Sequence, residues 1–287
     1  VSFANCGLPY YVGDVITDED KLLVTTPASL RDRFRLDVRV RSEVRAIDRE
    51  QRTVQIRDAV TGRDTTEPYD QLVLAPGARP VRPPLPGIDQ PGIFTIRTVP
   101  DSKEVRAWIE RHAARRAVVV GGGIIGLEMA ENLAHRGLEV TLVELLDQVM
   151  PPLDKEMALP VQERLTDHGV ALRLGEQVAG FRRTDAGLAV DTDAGTIDTD
   201  LVILAIGVRP ERDRAAAAGL ECNARGAIVV DAHMRTTDPS IFAVGDAVEV
   251  RHAVIDIAAM LPLAGPANRQ GRVAAENIAG RETRFRG

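Results

Sequence analysis

Residues 117–144, AVVVGGGIIGLEMAENLAHRGLEVTLVE, decide the fold. The opening run is apolar and mostly β-branched, which is typical of a strand buried in a parallel sheet. Gly121, Gly123 and Gly126 follow in a G-x-G-x-x-G pattern, and a segment of helical composition then continues to Gly137, a typical helix end. A second apolar run leads into a glutamate. The stretch therefore predicts one complete strand–turn–helix–strand unit.

Each of the three glycines in this pattern has a separate physical use. The first permits a tight turn, the second lets a pyrophosphate approach the backbone, and the third lets the helix pack close to the strand. The N-terminus of the helix offers free N–H groups and the positive end of a dipole to the phosphates. Because strand, helix, second strand and acid are present in order, we predict a dinucleotide-binding site here.

The acid that ends the second strand predicts which dinucleotide binds. Glu144 can accept hydrogen bonds from the ribose hydroxyls of the adenosine half. A 2′-phosphate would instead meet a carboxylate, and the next basic residue along the chain is Lys155. We therefore expect NADH to be preferred, with NADPH possible if a cation arrives from elsewhere in the fold.

Composition narrows the class of protein. The 287 residues are long enough to form about two domains, and the formal net charge is −6. The sequence shows neither a basic run nor an aromatic platform, so we expect no nucleic-acid partner. No apolar run is long enough to span a membrane, and the N-terminal residues lack the pattern of a signal peptide. We therefore expect no membrane partner.

The chain has two cysteines, Cys6 and Cys222, which are too far apart in sequence to suggest a disulfide framework. This usage predicts a cytoplasmic location. The five histidines are scattered, and none lies at metal-ligand spacing with a cysteine or another histidine, so no metal site is predicted. Two interpretations of Cys6 stay open: a buried thiol acting as a small hydrophobic group, or a redox thiol stabilised by a helix that begins nearby.

Two further strands share one pattern and predict two domains built alike. Residues 72–77 and 201–207 each form an apolar run that ends in glycine and follows an aspartate. Another apolar run, 241–244, leads into Gly245 and Asp246. An aspartate at the carboxyl end of a buried strand lies where open α/β sheets bind ligands, and a helix N-cap is its alternative role.

The remaining elements are predicted from hydrophobic periodicity and from residues typical of helix boundaries. The predicted segments are helices over 101–113, 155–168 and 266–279, antiparallel strands over 44–48 and 52–57, a strand over 38–40, and an extended surface connection over 79–91.

Four blocks of sequence resemble one family. Residues 2–6, SFANC, resemble a redox-cysteine motif, and 121–144 resemble a NAD(P)H fingerprint. Residues 237–246, TDPSIFAVGD, resemble a second FAD motif, and 262–272, PLAGPANRQGR, resemble the segment beside a flavin ring. By these blocks the chain resembles the flavin-dependent pyridine nucleotide–disulfide oxidoreductases, and within them the branch of coenzyme A-disulfide reductases, persulfide reductases and NADH oxidases.

The resemblance implies an α/β fold of two Rossmann-like, three-layer nucleotide-binding domains, with the NAD domain inserted in the FAD domain. The implied FAD-binding domain covers residues 1–103 and 228–287, and the implied NAD(P)H-binding domain covers 104–227. Members of the family also carry an N-terminal FAD-binding βαβ unit and a C-terminal dimerisation domain. Neither is recognised in this sequence, so the resemblance implies a chain truncated at both ends whose full-length parent is a homodimer.

The resemblance also implies roles for individual residues. Cys6 is the implied redox residue, and the implied substrate contacts are Ser2, Asn5 and Asn268. The implied NAD contacts are Gly121, Gly123, Ile124, Ile125, Gly126, Glu128, Glu144 and Gly207. The implied FAD contacts are Ala75, Gly77, Gly245, Asp246, Pro262, Leu263 and Ala264. Ile124 departs from the family pattern, since many relatives carry an aromatic residue there that gates the nicotinamide pocket.

Three functions are compatible with the resemblance. The first is an FAD- and NAD(P)H-dependent reductase of a small disulfide or persulfide, such as coenzyme A disulfide, acting through Cys6 alone. No second cysteine lies at C-x-x-x-x-C spacing, so the substrate would supply the second sulfur. The second function is an NADH oxidase or peroxidase that uses Cys6 as a sulfenic acid. The third is a truncated NADH-binding module without activity.

Overall fold

The computed structural model describes residues 2–185 and 187–287. The chain divides into two compact units. Unit 1 contains the chain up to Leu36 together with Pro80–Gly207, and unit 2 contains Asp37–Arg79 and Val208–Gly287. The long second segment of unit 1 is therefore an insertion within the sequence of unit 2.

The helices of the described residues are mostly short. The seven α-helices found there are α1 (Leu8–Val12), α2 (Pro27–Phe34), α3 (Val99–His112), α4 (Ile124–His135), α5 (Lys155–Asp167), α6 (Asp213–Ala217) and α7 (Ala264–Ile278). Short 3₁₀ turns cover Asn5–Gly7, Glu19–Leu22 and Gly245–Ala247. No helix in the described part of the chain is both long enough and apolar enough to cross a membrane.

Strands are more numerous than helices over the same residues. They are β1 (Ser2–Phe3), β2 (Leu23–Thr25), β3 (Ser42–Asp48), β4 (Thr53–Asp58), β5 (Asp64–Pro68), β6 (Leu72–Leu74), β7 (Ala78–Pro80), β8 (Ile93–Phe94), β9 (Arg116–Val120), β10 (Glu139–Glu144), β11 (Ala171–Leu174), β12 (Val178–Thr184), β13 (Gly187–Thr192), β14 (Gly195–Thr199), β15 (Leu201–Leu204), β16 (Val208–Pro210), β17 (Ile228–Val229), β18 (Ile241–Ala243), β19 (Val248–Arg251) and β20 (Ala258–Ala259).

The centre of unit 1 is a parallel sheet in the order β11-β10-β9-β15-β8. The predicted strand–turn–helix–strand unit is confirmed as β9, α4 and β10. Strand β9 lies in the middle of the sheet and is buried from Ala117 onward, as its apolar run predicts. Unit 1 also contains the antiparallel sheet β12-β13-β14 and the pair β1-β2.

Unit 2 is built from smaller sheets. It contains the antiparallel sheet β3-β4-β5, the mixed sheet β17-β19-β20 and the parallel pair β6-β18, and β7 pairs with β16. Its core includes Ile228, Ile241 and Phe242, which are almost fully buried. The parallel pair and the helices confirm the α/β class for this unit as well.

Most predicted elements are confirmed, with shifted ends. The helices correspond to α3, α5 and α7, and the two antiparallel strands correspond to β3 and β4. The strand predicted over 38–40 is wrong: β3 begins only at Ser42, and Val40 is exposed, so the alternation of valine and arginine buries no face. Strand β8 follows the predicted connection 79–91 and was not expected from the sequence.

The compact units differ from the predicted segments 1–103, 104–227 and 228–287. The residues up to Leu36 pack with the fingerprint sheet, because α1 buries its apolar side chains against α3 and α4. Residues 208–227 pack with unit 2. The assignment of the three segments to particular cofactors stays a prediction.

Candidate functional site

Gly121 and Gly126 allow α4 to begin directly at the end of β9. Gly121 has a φ of 107°, and a Cβ atom there would lie 2.5 Å from the carbonyl oxygen of Ala205. A Cβ atom on Gly126 would lie 1.9 Å from the carbonyl oxygen of Gly121. Neither position has room for a side chain, so both glycines are required for the helix to pack this close to the sheet.

Gly123 has open space instead. It is the N-cap residue of α4, and a Cβ atom there would meet no atom within 4 Å. No side chain of the described residues caps this helix, and Ile124 and Ile125 in its first turn are exposed. The first backbone N–H groups of α4 therefore have no side-chain cap among the described residues, and Gly123 leaves open space beside them, as a bound pyrophosphate requires.

Glu144 is held rigidly at the end of β10. Its side chain is buried, its Oε2 accepts a hydrogen bond from the backbone N–H of Gly122 at 2.6 Å, and its Oε1 accepts one from Leu146 at 2.9 Å. A carboxylate has about four acceptor positions, so capacity remains for ribose hydroxyls. These bonds fix the acid beside the glycine turn.

Gly207 lies beyond the carboxyl end of β15, the strand next to β9. It has a φ of 99°, and its carbonyl oxygen accepts a hydrogen bond from Val81 at 3.0 Å. The predicted NAD residues Gly121, Glu144 and Gly207 thus lie at or just beyond the carboxyl ends of three neighbouring strands of one parallel sheet. This is the edge at which open α/β sheets bind ligands.

Cys6 is exposed and lies in the 3₁₀ turn Asn5–Gly7, which runs directly into α1. The interpretation of Cys6 as a buried hydrophobic thiol is therefore wrong. The predicted substrate contacts Ser2 and Asn5 are exposed in the same N-terminal segment. A redox role for the thiol stays a prediction.

Tyr10 lies one turn after Cys6. The pKa of Tyr10 is raised, first by the negative charge of Glu131, then by burial, and further by Glu128 and Cys6. Burial and Glu131 also raise the pKa of Glu128. A thiol, a phenol and two carboxylates of α4 thus share one electrostatic neighbourhood. The motifs do not identify Tyr10. It could have been found from two spacings in the sequence: Tyr10 lies four residues after Cys6, and the two glutamates of α4 lie three residues apart.

The second cysteine has a different environment. Cys222 is partly buried in unit 2, and its thiol donates a long hydrogen bond of 3.8 Å to the carbonyl oxygen of Leu220. Burial raises the pKa of the Cys222 thiol. Thiolate chemistry is therefore disfavoured at Cys222.

In unit 2, the predicted FAD residues follow the parallel strands β6 and β18. Leu74 is paired with Ala243, so the segments 75–77 and 244–246 leave the sheet at the same edge. Ala75 is exposed at this edge, and Gly77 has a φ of 73°. The predicted glycine is thus found where the backbone turns away from the strand.

Gly245 and Asp246 lie together at the end of β18. Gly245 has a φ of 82°, and Asp246 lies inside the 3₁₀ turn Gly245–Ala247, whose N-cap residue is Val244. The alternative N-cap role of Asp246 is therefore wrong. Its half-buried carboxylate lies at the carboxyl end of a buried strand, as the ligand-binding interpretation requires.

Helix α7 presents an uncapped N-terminus in unit 2. Its N-cap residue is Leu263, no side chain of the described residues caps it, and Pro262, Leu263 and Ala264 are exposed. Asn268 is exposed on the same helix. The helix thus offers backbone N–H groups that are not capped by a side chain of the described residues.

Gln270 is a positioning residue that the motifs do not reveal. It is buried on α7, and its side-chain oxygen accepts a hydrogen bond from the backbone N–H of Gly245 at 2.7 Å. This bond joins α7 to the turn that carries Asp246. The signal in the sequence is a polar residue on the face of α7 that also buries Ala274 and Asn277.

Comparison with known proteins identifies the family. A family model described as pyridine nucleotide-disulphide oxidoreductase matches residues 2–271. An NADH oxidase from Methanocaldococcus jannaschii is 36% identical over 289 residues, which cover 99% of this chain and 63% of that protein. A coenzyme A disulfide reductase from Staphylococcus epidermidis is 32% identical over 281 residues, which cover 98% of this chain and 63% of that protein.

A solved structure extends the similarity to three dimensions. The crystal structure of reduced Bacillus anthracis CoADR-RHD matches with a TM-score of 0.97 and 48% identity, and covers 100% of this chain and 52% of that one. The chain spans about 63% of the length of the two curated relatives. The family match includes the fingerprint, the Cys6 segment and the β18 turn. The chain belongs to the pyridine nucleotide-disulphide oxidoreductase family.

Proposed function

We propose that this chain contains the nucleotide sites and the redox thiol of an FAD- and NADH-dependent reductase of small disulfides or persulfides. One observation carries the proposal. In unit 1 the turn of the exposed Cys6 leads into α1, which packs on the fingerprint helix α4, and Cys6 and Glu128 of α4 both raise the pKa of Tyr10 on α1. A dinucleotide bound by that helix and a reactive thiol are two of the groups that such a reductase needs, and FAD is the third.

The fingerprint residues fit NADH. The open space at Gly123 would admit the pyrophosphate, the first N–H groups of α4 would bind it, and Glu144 would accept from the adenosine ribose. The next basic side chain after Glu144 along the chain, Lys155, is paired with Asp147 at 2.8 Å. A 2′-phosphate would therefore meet a carboxylate before it met a free cation, which supports NADH over NADPH.

The residues at the edge of β6 and β18 fit FAD. A Cβ atom on Gly245 would meet no atom within 4 Å, and Gly77, with a φ of 73°, turns the backbone away from β6. Asp246 can accept from a ribityl hydroxyl, and the exposed start of α7 can donate N–H groups to an anionic ring. When bound, FAD supplies the two-electron link between NADH and sulfur. Gln270 would keep the aspartate turn and α7 in a fixed relation.

Cys6 would perform the sulfur chemistry. Its thiolate attacks one sulfur of the substrate disulfide, one S–S bond forms as another breaks, and the second sulfur leaves as a thiolate. Tyr10, whose pKa is raised, stays protonated at neutral pH and can donate a hydrogen bond at this site. Exposure of Cys6 leaves room for a substrate that supplies the second sulfur.

We propose coenzyme A disulfide as the substrate type, because the chain is similar to a coenzyme A disulfide reductase over nearly its whole length. The competing function is an NADH oxidase with a sulfenic acid at Cys6, and the similar NADH oxidase supports it. The third candidate function is an NADH-binding module without activity. We also propose a cytoplasmic location, from the two free thiols, and a homodimer for any longer parent.

The test compares thiol release with oxygen uptake. The purified chain is loaded with FAD, its visible spectrum is recorded, and NADH oxidation is followed with coenzyme A disulfide under argon and then in air. We expect a pair of thiols for each NADH consumed, with release lost in Cys6→Ser and kept in Cys222→Ser. Oxygen uptake without thiol release would establish the oxidase instead. A colourless protein that binds only NADH would show that the chain is a nucleotide-binding module without activity.

A further inference from the structure

An ionic cluster surrounds the C-terminal end of α1, the helix that follows Cys6. Asp14 lies just after α1, which ends at Val12. Its Oδ1 lies 2.6 Å from Nη2 of Arg106, and its Oδ2 lies 3.4 Å from Nε of Arg136. Arg106 belongs to α3, and Arg136 directly follows α4. One carboxylate thus links the end of α1 to two other helices.

The same two guanidinium groups bind the backbone of α1. Nη1 of Arg106 donates to the carbonyl oxygen of Tyr11, and Nη1 of Arg136 donates to that of Val12, both at 2.8 Å. The Arg106 guanidinium also lies 4.4 Å from the centre of the Tyr11 ring. The last carbonyl groups of a helix lack intrahelical donors, so cations placed there satisfy them and complement the helix dipole.

Burial and close packing strengthen this arrangement. The side chains of Arg106 and Arg136 are 19% and 11% exposed. A Cβ atom on Gly13 would lie 2.5 Å from Oδ1 of Asn132, so the end of α1 is in direct contact with α4. The Asp14 carboxylate is 43% exposed, and Arg136 also pairs with Glu110 at 2.9 Å. Loss of Asp14 would therefore leave the more buried Arg106 without its carboxylate, which is more disruptive than loss of an exposed pair.

We propose that Asp14, Arg106 and Arg136 form a clamp that positions Cys6 relative to the fingerprint helix α4. This proposal rests on the redox role of Cys6 proposed above. The turn that carries Cys6 continues directly into α1, a helix of five residues, about 8 Å long. A clamp at the far end of so short a helix fixes the direction of the near end. The three are positioning residues because they act through α1.

Hydrogen exchange measures the clamp without reference to activity. In Asp14→Asn and Arg136→Gln, the amides of residues 5–16 should exchange at least about tenfold faster than in the wild type, while those of β9 and β10 keep their rates. Asp200→Asn is the matched control, since Asp200 is another partly buried carboxylate of unit 1 and is paired with Arg116 at 2.8 Å. The control should leave the exchange of residues 5–16 unchanged.

Turnover supplies the readout that a purely structural role would not move. With FAD, NADH and coenzyme A disulfide, kcat of Asp14→Asn and Arg136→Gln should fall about tenfold, with the KM for NADH unchanged. Arg106→Lys keeps the charge and a donor, so it should recover most of the rate. Wild-type exchange over residues 5–16 in both clamp variants, or equal acceleration throughout unit 1, would overturn the proposal. A fully active Cys6→Ser variant would overturn the proposed function. The hydrogen-exchange result would then still test the clamp by itself.

Discussion

Strands β15 and β6 have nearly the same sequence pattern in different surroundings. Strand β15 lies between β9 and β8, and none of Leu201–Leu204 is more than 3% exposed. Strand β6 pairs only with β18 among the described residues, and its Val73 is 42% exposed. Both strands are followed by glycines with positive φ, Gly207 and Gly77. An apolar strand that ends in glycine thus predicts where the backbone turns away from a sheet, whereas the neighbouring strands determine how deeply the strand is buried.

The largest effect is expected at the fingerprint of the better-packed sheet. Gly126→Val should destabilise unit 1 by about 3 kcal/mol and abolish NADH binding, because even a Cβ atom would lie 1.9 Å from the carbonyl oxygen of Gly121. Urea unfolding and a fluorescence titration with NADH measure the two effects.

Gly123→Ala is the matched control for this substitution. Its Cβ atom has open space, so stability should stay within about 0.5 kcal/mol of the wild type. NADH affinity should nevertheless fall, because the added methyl group occupies the space in which we propose that the pyrophosphate binds. Equal destabilisation of the two variants would contradict the packing described for Gly126.

The comparison between the strands is tested directly by shortening one valine in each. Val202→Ala in β15 should cost about 2 kcal/mol, because Val202 is completely buried and a cavity remains. Val73→Ala in β6 should cost less than about 1 kcal/mol, because Val73 is already 42% exposed and loses less buried surface. Urea unfolding of both variants gives the difference, and equal losses would show that the two strands are packed alike in solution.

Cofactor preference should respond to the end of β10. Glu144→Ala combined with Leu145→Arg removes the carboxylate that meets a 2′-phosphate and adds a cation at an exposed position. The ratio of NADPH to NADH affinity should rise by about tenfold or more. Glu144→Ala alone is the control, and it should weaken NADH binding without creating strong NADPH binding. An unchanged ratio in the double variant would contradict the role given to Glu144.

The smallest effect is a pH-dependent gain in stability. Because burial and Glu131 raise the pKa of Glu128, its ionised form opposes folding, and this cost appears as the pH rises through the pKa of the folded state. Glu128→Gln should therefore raise Tm at pH about 8, and the gain should vanish as the pH falls below the usual range of a glutamate, roughly 4. Thermal unfolding at several pH values measures this. The exposed Glu163→Gln is the control, and a gain independent of pH would contradict the assignment.

The fingerprint could be predicted because its geometry is local. Gly121, Gly123 and Gly126 are needed for backbone geometry that is set within a few residues. The elements β9, α4 and β10 are each predicted by the hydrophobic periodicity of their own sequence. Strand β8 could not be predicted, since Ile93–Phe94 is too short to show a period and becomes a strand only by pairing with β15. The valines at 38 and 40 show the opposite outcome: their alternating pattern predicts a strand, but no strand forms there because the pattern has no sheet or helix to pack against.

The residues that the motifs do not reveal depend on tertiary packing, which no local pattern specifies. Tyr10 and Asp14 gain their partners only because α1 packs on α3 and α4. Gln270 gains its role only because α7 packs on the turn after β18. A sequence motif thus identifies the groups that can contact a cofactor, and the fold is needed to find the groups that hold them.

The central claim is that Cys6, and not Cys222, is the thiol that exchanges with a disulfide substrate. The most direct measurement is the mass of the chain after incubation with coenzyme A disulfide, followed by peptide mapping. We predict one coenzyme A adduct on Cys6, an equal amount of free coenzyme A thiol, and reversal of the adduct by NADH once FAD is bound. An unmodified chain, or an adduct on Cys222 alone, would contradict the account.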